Sequence, residues 1–273
     1  MGLLVQRVIG VVPAAGHARR ISPLPMSKEL FPIGFAGEQG AGRSPKTISQ
    51  YLLERMAQGG VHEAFVILRP GKWDIPAYLG DGTGVGIRLA YLTVHVSLGV
   101  PFTLDQAYPF VRSETVALGF PDILFWPENA YDIILRRLRE NKADVVLGLF
   151  PTDEPEKVGV VDVDKKGRVL GVYEKSSFTH LRYMWAIAVW GPRFTEFLHA
   201  FTESAIRHQG APDVVAGQGD DDGKPAVETP IGDVIQAAVT AGLRVEAEIF
   251  TDGRYIDIGT PDNLVRAIRD QLC

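Results

Sequence analysis

The sequence has one cysteine and no long hydrophobic run. Cys273 is the last of 273 residues, so no intrachain disulfide can form and a reducing compartment is allowed. No apolar run reaches the length of a membrane span, and the N-terminal apolar segment is interrupted by Gln6 and Arg7 with no basic region before it. We therefore expect a soluble, unprocessed protein of the cytoplasm with no membrane partner.

Basic residues are too few for broad contact with nucleic acid. The chain has 28 Lys and Arg against 33 Asp and Glu, a formal net charge of -5, and no block rich in Lys or Arg. Because neutralising a nucleic-acid backbone requires a basic face, we expect no nucleic-acid partner, and any anion site must be local. A hydrophobic share of 46% over this length predicts a single domain covering residues 1–273.

Short β-rich segments alternate with amphipathic segments of helix length, which predicts an α/β fold with a largely parallel sheet. The predicted strands are 7–12, 63–68, 87–93, 114–119, 143–149, 158–163, 168–173, 183–190 and 243–249. The predicted helices are 48–58, 130–141 and 261–272. Residues 165–167 have the pattern of a hairpin turn, and the Gly- and Asp-rich segment 209–225 predicts a surface loop.

The first loop (residues 14–20) has the composition of a polyphosphate site. It follows an apolar strand, begins with small residues that include Ala15 and Gly16, and leads to Arg20 and then Lys28. Small residues let a ligand reach backbone N–H groups, while the cations supply charge that small residues cannot. The spacing is neither that of a P-loop nor that of a dinucleotide-binding fingerprint.

Two aspartates are candidate metal ligands. Asp122 follows the strand 114–119, where the carboxyl ends of parallel strands form the usual ligand crevice. Asp257 lies between apolar residues just before a helix. Mg²⁺ prefers a few carboxylates together with substrate phosphates, although either aspartate alone is also an ordinary turn residue. Glu174 and Lys175 close another strand, either as site residues or as a solvated strand end with a weak ion pair.

In this order the motifs resemble those of sugar-1-phosphate nucleotidyltransferases, closest in length and layout to the short glucose-1-phosphate thymidylyltransferases. The resemblance covers nearly the whole chain and rests on Ala15-Gly16 with Arg20, Ser27-Lys28, Tyr78-Leu79-Gly80-Asp81-Gly82, Gly86, Leu89-Ala90-Tyr91, Gly99, Asp122, Val158-Gly159-Val160-Val161, Glu174-Lys175, Glu228-Thr229, Asp233 and Ile256-Asp257-Ile258-Gly259-Thr260. It implies a Rossmann-like α/β/α sandwich with a mixed, mostly parallel central sheet. It also implies Mg²⁺ as cofactor, a nucleoside triphosphate and a sugar 1-phosphate as substrates, and a homo-oligomer.

The resemblance further implies a role for each matching residue. The catalytic residues would be Arg20 on the β- and γ-phosphates, Lys28 on the α-phosphate, and Asp122 and Asp257 as metal ligands. The nucleotide-binding residues would be Pro13, Ala15, Gly16, His17, Arg19 and Gly99. The residues that bind the sugar phosphate would be Gly159, Glu174, Lys175, Glu228 and Tyr255.

The chain departs from the family pattern at three places. Ala18-Arg19 stands where the family has Gly-Thr, so the loop loses a glycine and gains a cation, and Arg19 is either an extra phosphate ligand or an exposed side chain. The segment 119–122 places two residues between its glycine and Asp122, which makes Phe120 the alternative occupant of the metal position. Ser176 replaces the proline that follows the Glu-Lys pair, a change in loop stiffness rather than charge.

Other polar and aromatic residues have two interpretations. His17 could donate to a phosphate or remain solvated, and His95 could help select the nucleobase or lie at a strand end. Trp185 and Trp190 could shape a sugar pocket or pack in the core. The remaining histidines show no spacing typical of zinc ligands, so we predict no zinc site at His62, His180, His199 or His208.

Two other functions are compatible with the same residues. A cytidylyltransferase acting on a non-sugar phosphate would need a similar first loop. A non-catalytic relative that binds a nucleotide or nucleotide sugar is suggested by the altered loop and the altered segment before Asp122.

Overall fold

The computed structural model describes residues 7–37, 42–95, 98–175, 180–209 and 228–272. Within these ranges the strands are β1 (Val8–Pro13), β2 (Pro32–Ala36), β3 (Ser44–Thr47), β4 (Glu63–Leu68), β5 (Arg88–Thr93), β6 (Thr115–Gly119), β7 (Ile123–Trp126), β8 (Val145–Pro151), β9 (Gly159–Val163), β10 (Val169–Glu174), β11 (Tyr183–Trp190), β12 (Val245–Ile249) and β13 (Arg254–Asp257). The helices are α1 (Ile48–Gln58), α2 (Asp74–Leu79), α3 (Val100–Asp105), α4 (Tyr108–Val111), α5 (Ala130–Asn141), α6 (Pro192–Gln209), α7 (Ile231–Thr240) and α8 (Pro261–Leu272).

The predicted elements are present. Each predicted strand is found with ends shifted by about two residues or fewer, and the three predicted helices α1, α5 and α8 have the predicted bounds. The hairpin turn at 165–167 joins β9 to its antiparallel neighbour β10. The predicted loop 209–225 lies outside the described residues, except for Gln209, which ends α6. The sequence did not reveal β2, β3, β7 and β13, which form two small separate sheets.

The main sheet has nine strands within the described ranges. Its order is β10-β9-β11-β6-β1-β4-β5, with β8 paired to β11 and β12 paired to β8. Parallel pairing joins β1 to β4 and β6, β4 to β5, and β8 to β12. Antiparallel pairing joins β11 to β6, β8 and β9, and β10 to β9. The sheet is therefore mixed and mostly parallel, as predicted, and β10 and β11 are the strands that run against the others.

Helices cover both faces of this sheet because alternate residues of each strand point to opposite sides. In β1, Val12 packs into a cluster with Leu52 and Met56 of α1 and with side chains of α5. Val11, its neighbour in sequence, packs into a second cluster with Phe194 of α6 and side chains of α3 and α7. The result is an α/β/α sandwich with the strand ends at its rim.

A third, smaller cluster lies beside this sandwich. Ile33 of β2, Leu124 of β7 and Ile256 of β13 pack with Ile48 and with Ala267 of α8. This cluster fixes the two-stranded β7–β13 sheet and the C-terminal helix against α1 and the segment after Lys28. Among the described residues, no helix combines the length and apolarity needed to cross a bilayer.

Candidate active site

A cleft opens where the carboxyl ends of β1 and β6 meet. Parallel pairing of these strands places the first loop after β1 next to the segment that follows Gly119. A cavity of about 190 Å³ lies here, the first cavity. It is lined by Pro13, Ala15, Gly16, His17, Lys28, Glu29, Gly99, Val100, Thr103, Phe120, Asp122 and Glu228. The structure thus brings together most of the residues predicted to bind nucleotide, with one predicted metal ligand.

Lys28 forms an ion pair with Asp122 at the floor of this cleft. Lys28 opens a short 3-10 helix, and Asp74 of α2 holds the residue before it by accepting from the backbone N–H and the hydroxyl of Ser27, both at 2.7 Å. Burial alone would lower the pKa of Lys28. The Asp122 carboxylate and the more distant charges of Glu29 and Asp257 outweigh burial and raise the pKa of Lys28, so the ammonium stays charged near neutral pH.

Asp257 reaches the same floor through the β7–β13 sheet. Its register partner is Ile123, the residue after Asp122, and the backbone N–H of Ile258 donates to the Asp122 carbonyl at 3.1 Å. Burial raises the pKa of Asp257, and the nearby charge of Asp122 adds to the rise. A hydrogen bond of 2.7 Å from the backbone N–H of Gly259 opposes this rise by stabilising the Asp257 carboxylate. Two carboxylates from distant segments therefore share one site.

These two carboxylates fit a divalent cation of the Mg²⁺ type. The pKa of Asp257 is raised by burial and then by the charge of Asp122, so the two carboxylates repel each other. A cation bound between them would reduce this repulsion. Within the described ranges, no group of three or more His, Cys, Asp or Glu side chains could hold a metal by itself. A cation held by Asp122 and Asp257 would thus need oxygen ligands from water or from a bound phosphate, which is the usual environment of Mg²⁺.

Phe120, the alternative occupant of the metal position, packs against an aromatic side chain and forms part of the cavity wall. Its ring lies 5.8 Å from that of Trp185 in a tilted arrangement, and it lines the first cavity. Asp122, two residues later, is the residue that meets Lys28. The extra residues before Asp122 therefore add an aromatic wall without removing the carboxylate.

The first loop carries its cations on the outside. Arg19 and Arg20 are exposed, and Arg20 points back to Asp257 with 3.7 Å between Nη2 and Oδ2. Ala18 has a φ of 55°, a left-handed conformation in which L side chains are strained. The family pattern has glycine at this position, and the backbone geometry supplies the physical reason for it.

His17 faces a group of positive charges. Burial lowers its pKa, and the charges of Arg69, Arg19 and Lys72 lower it further, against the opposite effect of Glu228. His17 is therefore neutral near pH 7 and can donate one ring N–H. Arg69 and Lys72 are cations near the loop that the sequence analysis missed.

An isolated bridge brings Gly99 next to the segment that contains Glu228 and Thr229. Gly99 pairs with Thr229, whose N–H donates to the Leu98 carbonyl at 3.0 Å. Gly99 has a φ of 125°, and a Cβ there would lie 2.4 Å from the Thr229 carbonyl oxygen. Only glycine lets the two segments approach this closely, and the approach closes one side of the first cavity.

Glu174 is held at the end of β10 by a tight set of neighbours. It accepts hydrogen bonds from the Trp185 side chain and the Gly232 backbone, and a Cβ at Gly159 would lie 2.7 Å from its Oε1. Burial raises the pKa of Glu174, and the charge of Asp233 adds to the rise. Three segments that the sequence analysis singled out, those of Gly159, Trp185 and Asp233, thus meet at the Glu174 carboxylate. Lys175 is next in sequence, exposed, and has a φ of 45°.

Other predicted residues lie elsewhere. The Tyr255 hydroxyl is 3.2 Å from Thr152 Oγ1, and its ring packs against the core rather than lining the first cavity. Trp190 is buried against Phe194, so of its two interpretations the structure supports packing in the core. His95 is exposed and does not line the first cavity.

Glu29 is the main lining residue that the sequence analysis missed. It is buried, its Oε1 accepts from Lys72 Nζ at 2.6 Å, and its Oε2 is buried without a hydrogen-bond partner. Burial raises the pKa of Glu29 and lowers that of Lys72. The only sequence signal was a charged residue inside the otherwise apolar segment that follows Lys28.

Known proteins with similar sequences match between about three fifths and nearly all of this chain. A low-salt glycan biosynthesis nucleotidyltransferase of Haloferax volcanii is 22% identical over 94% of this chain and 64% of its own length. A mannose-1-phosphate guanylyltransferase of Mycobacterium tuberculosis is 28% identical over 64% of this chain and 46% of its own length. A glucose-1-phosphate thymidylyltransferase of Neisseria gonorrhoeae is 26% identical over 61% of this chain and 55% of its own length. The chain thus spans roughly half to two thirds of these curated relatives.

Solved structures with the same fold cover nearly the whole chain. A UDP-glucose pyrophosphorylase complexed with UDP-glucose superposes with a TM-score of 0.74 at 16% identity, over 97% of this chain and 98% of that one. A UTP-bound UGPase from Acinetobacter baumannii gives a TM-score of 0.73 at 15% identity, over 97% and 93%. At these identities the likeness shows the fold.

The family model described as nucleotidyl transferase matches residues 9–272. This match begins in β1, ends in α8 and includes both strands that bring Asp122 and Asp257 together. The chain belongs to the nucleotidyl transferase family.

Proposed function

We propose that this protein is a Mg²⁺-dependent enzyme that transfers a nucleoside monophosphate from a nucleoside triphosphate to a sugar 1-phosphate. The observation that carries the proposal is the convergence of Lys28, Asp122 and Asp257 beside a loop of small residues. The names of the relatives support a sugar 1-phosphate as acceptor, and they differ in the base, which the experiment below determines.

In the proposed reaction, a phosphate oxygen of the sugar 1-phosphate attacks the α-phosphorus of the triphosphate. The bond between the α-phosphorus and the oxygen that bridges to the β-phosphate breaks, and pyrophosphate leaves with that electron pair. No covalent enzyme intermediate is needed. Such a displacement is accelerated mainly by positioning and by stabilising charge on the phosphate oxygens.

The residues act on successive parts of the substrates. Lys28, kept charged by Asp122, offsets the negative charge that builds on the α-phosphate. Asp122 and Asp257 would hold Mg²⁺, which when bound neutralises phosphate charge and helps to align the reacting groups. Arg20, next to Asp257 and largely exposed, binds the outer phosphates.

The base and the sugar occupy the two ends of the cleft. The base lies against Pro13, Ala15 and Gly16 and near Gly99, where apolar surface and backbone groups line the first cavity. Arg19 adds positive charge near the entrance, and His17 donates from its neutral ring. We assign the sugar phosphate to Lys175 and the sugar hydroxyls to Gly159, Glu174, Glu228 and Tyr255, of which Gly159 and Glu174 lie in close contact and Glu228 lines the first cavity.

The proposal takes residues 1–273 as one catalytic domain that works in the cytoplasm as a symmetric homo-oligomer. A closed symmetric assembly is the commonest form among soluble oligomers. Light scattering coupled to size-exclusion chromatography measures the mass of the assembly, and a monomeric mass would contradict this part of the proposal.

A matrix of nucleoside triphosphates against sugar 1-phosphates tests the function, with pyrophosphate release as the readout and Mg²⁺ present. At least one pair should give turnover and a nucleotide sugar. Turnover with CTP and a non-sugar phosphate alone would identify the cytidylyltransferase alternative. Tight nucleotide binding by calorimetry with no turnover in any pair would identify a non-catalytic binder.

A further inference from the structure

The turn that follows β4, residues 69–72, lies beside the first loop. β4 pairs in parallel with β1, with Ile67 opposite Pro13, and the N–H of Ala14 donates to the Ile67 carbonyl at 2.8 Å. Both segments therefore leave the sheet at the same edge. The turn is closed by the Lys72 N–H on the Arg69 carbonyl at 3.3 Å, so both basic residues of the turn are held near the cleft.

A second cavity, of about 310 Å³, lies between this turn and the first loop. It adjoins the first cavity, because Gly16, His17 and Lys28 line both. Arg69 and Lys72 line its other wall. An extended anion that begins at Lys28 in the first cavity can therefore continue into the second.

The second cavity carries excess positive charge. Asp74 is the carboxylate among its lining residues, and it accepts hydrogen bonds from Ser27 through both of its oxygens. Lys28 and Lys72 are each paired with one carboxylate, Asp122 and Glu29. Among the residues that the structure describes, Arg69 is therefore the main positive charge of the second cavity that has no carboxylate paired with it.

The Arg69 guanidinium has few partners of its own. Its Nη1 donates to the Pro70 carbonyl at 3.1 Å, and its Nε is buried with no hydrogen-bond partner. In the part of the chain that the structure describes, no carboxylate lies within ion-pair distance of it. The charge of Arg69 is also the largest charge acting on His17. A planar, permanently charged group with unused donors suits a phosphate.

We propose that Arg69 binds the β- and γ-phosphates of the triphosphate and the pyrophosphate that leaves, with Lys72 adding positive charge behind it. The second cavity is then the pyrophosphate subsite. Arg20, whose Nη2 lies 3.7 Å from Asp257 Oδ2, is the residue that the proposed function assigns to the same phosphates. The inference rests on the proposed function, because it takes the ligand of the first cavity to be a nucleoside triphosphate.

The test compares Arg69→Met with Arg69→Lys and with a matched control, Arg88→Met. Arg88 is an exposed arginine of β5 that pairs with Glu63, away from both cavities. Calorimetry in the presence of Mg²⁺ measures the affinity of each protein for inorganic pyrophosphate, for a nucleoside triphosphate and for the monophosphate of the same base. Thermal unfolding confirms that each variant is folded.

Arg69→Met should weaken binding of pyrophosphate and triphosphate by about tenfold or more, the effect of one lost charged hydrogen bond. Monophosphate binding should stay within about twofold, because that ligand does not reach the second cavity. Arg69→Lys should recover part of the loss, and Arg88→Met should match the wild type. This pattern separates a phosphate contact from a general loss of structure.

Unchanged pyrophosphate affinity in Arg69→Met would overturn the inference, as would equal losses for all three ligands or a wild type that binds no pyrophosphate. If the wild type turns over while Arg69→Met binds pyrophosphate normally, the inference fails and the proposed function stands. If pyrophosphate binding depends on Arg69 but no substrate pair turns over, the inference stands and the proposed function fails.

Discussion

Lys28 and Asp122, 94 positions apart in sequence, form an ion pair at the floor of the cleft. The pair links the 3-10 helix after the first loop to the segment after β6. It explains why the pKa of Lys28 is raised although burial acts to lower it. It also places a cation against the carboxylate that, with Asp257, forms the candidate metal site.

Lys28→Met should reduce kcat by about 100-fold, because one preorganised charge that acts on the α-phosphate is removed. Lys46→Met is a matched control, since Lys46 of β3 pairs with Glu54 of α1 and its side chain is 14% exposed, against 13% for Lys28. Steady-state kinetics of pyrophosphate release measures both variants. An equal fall of kcat in the two would show that Lys28 acts through stability.

Gly99→Ala should destabilise the fold by about 1–3 kcal/mol, the cost of a strained backbone with a close contact. The added Cβ would meet the Thr229 carbonyl oxygen, and the displaced bridge would raise the KM for triphosphate. Gly84→Ala provides the control, because no atom lies within 4 Å of a Cβ at that position. Urea unfolding and kinetics together check the prediction, and normal behaviour of Gly99→Ala would contradict it.

Ala18→Gly should stabilise the protein by about 0.5–1 kcal/mol. Relief of the left-handed conformation is worth about 1–2 kcal/mol, and the greater freedom of glycine in the unfolded chain costs about 0.4–1 kcal/mol. Ala241→Gly is the opposite-sign control, because Ala241 has an ordinary φ of -75° after α7. Chemical denaturation of both variants should give shifts of opposite sign, and a loss of stability in Ala18→Gly would be the contradictory result.

Glu174→Gln should gain stability relative to the wild type as pH rises. Burial, and then Asp233, raise the pKa of Glu174 in the fold, so the folded state binds a proton more tightly than the unfolded state does. The wild type therefore loses stability between the ordinary glutamate pKa and the raised value, whereas glutamine does not titrate. Unfolding free energies from about pH 4 to pH 8 measure the difference.

The same substitution should raise the KM for sugar 1-phosphate, because the amide replaces the carboxylate that we propose binds sugar hydroxyls. A stability difference that does not change with pH would contradict the first expectation. An unchanged KM would remove Glu174 from the sugar site.

The sequence predicted the main sheet well because buried strands have a strong local pattern. Val8–Pro13 and Tyr183–Trp190 are runs of apolar residues whose length and composition suffice to identify a strand. The β7–β13 sheet was missed because each strand has only four residues and its partner lies far away in the chain. Since this pairing brings Asp257 to Asp122, only the resemblance could link the two.

The missed residues of the site have the same cause. Arg69 and Lys72 stand singly after β4, and only the parallel pairing of β4 with β1 places them beside the first loop. Glu29 is buried together with its partner Lys72, a contact between residues 43 positions apart. Such contacts depend on tertiary packing and leave no periodic signal in the sequence.

The central claim is that Asp122 and Asp257 together support Mg²⁺-dependent nucleotidyl transfer, and pyrophosphate release by Asp122→Asn and Asp257→Asn tests it most directly. Asp252→Asn is the matched control, because Asp252 is exposed in the turn between β12 and β13. With Mg²⁺ and the best substrate pair, the wild type and the control should release one pyrophosphate for each nucleotide sugar, and both site variants should lose at least about 100-fold in rate. Turnover by either site variant at the rate of Asp252→Asn would contradict the account.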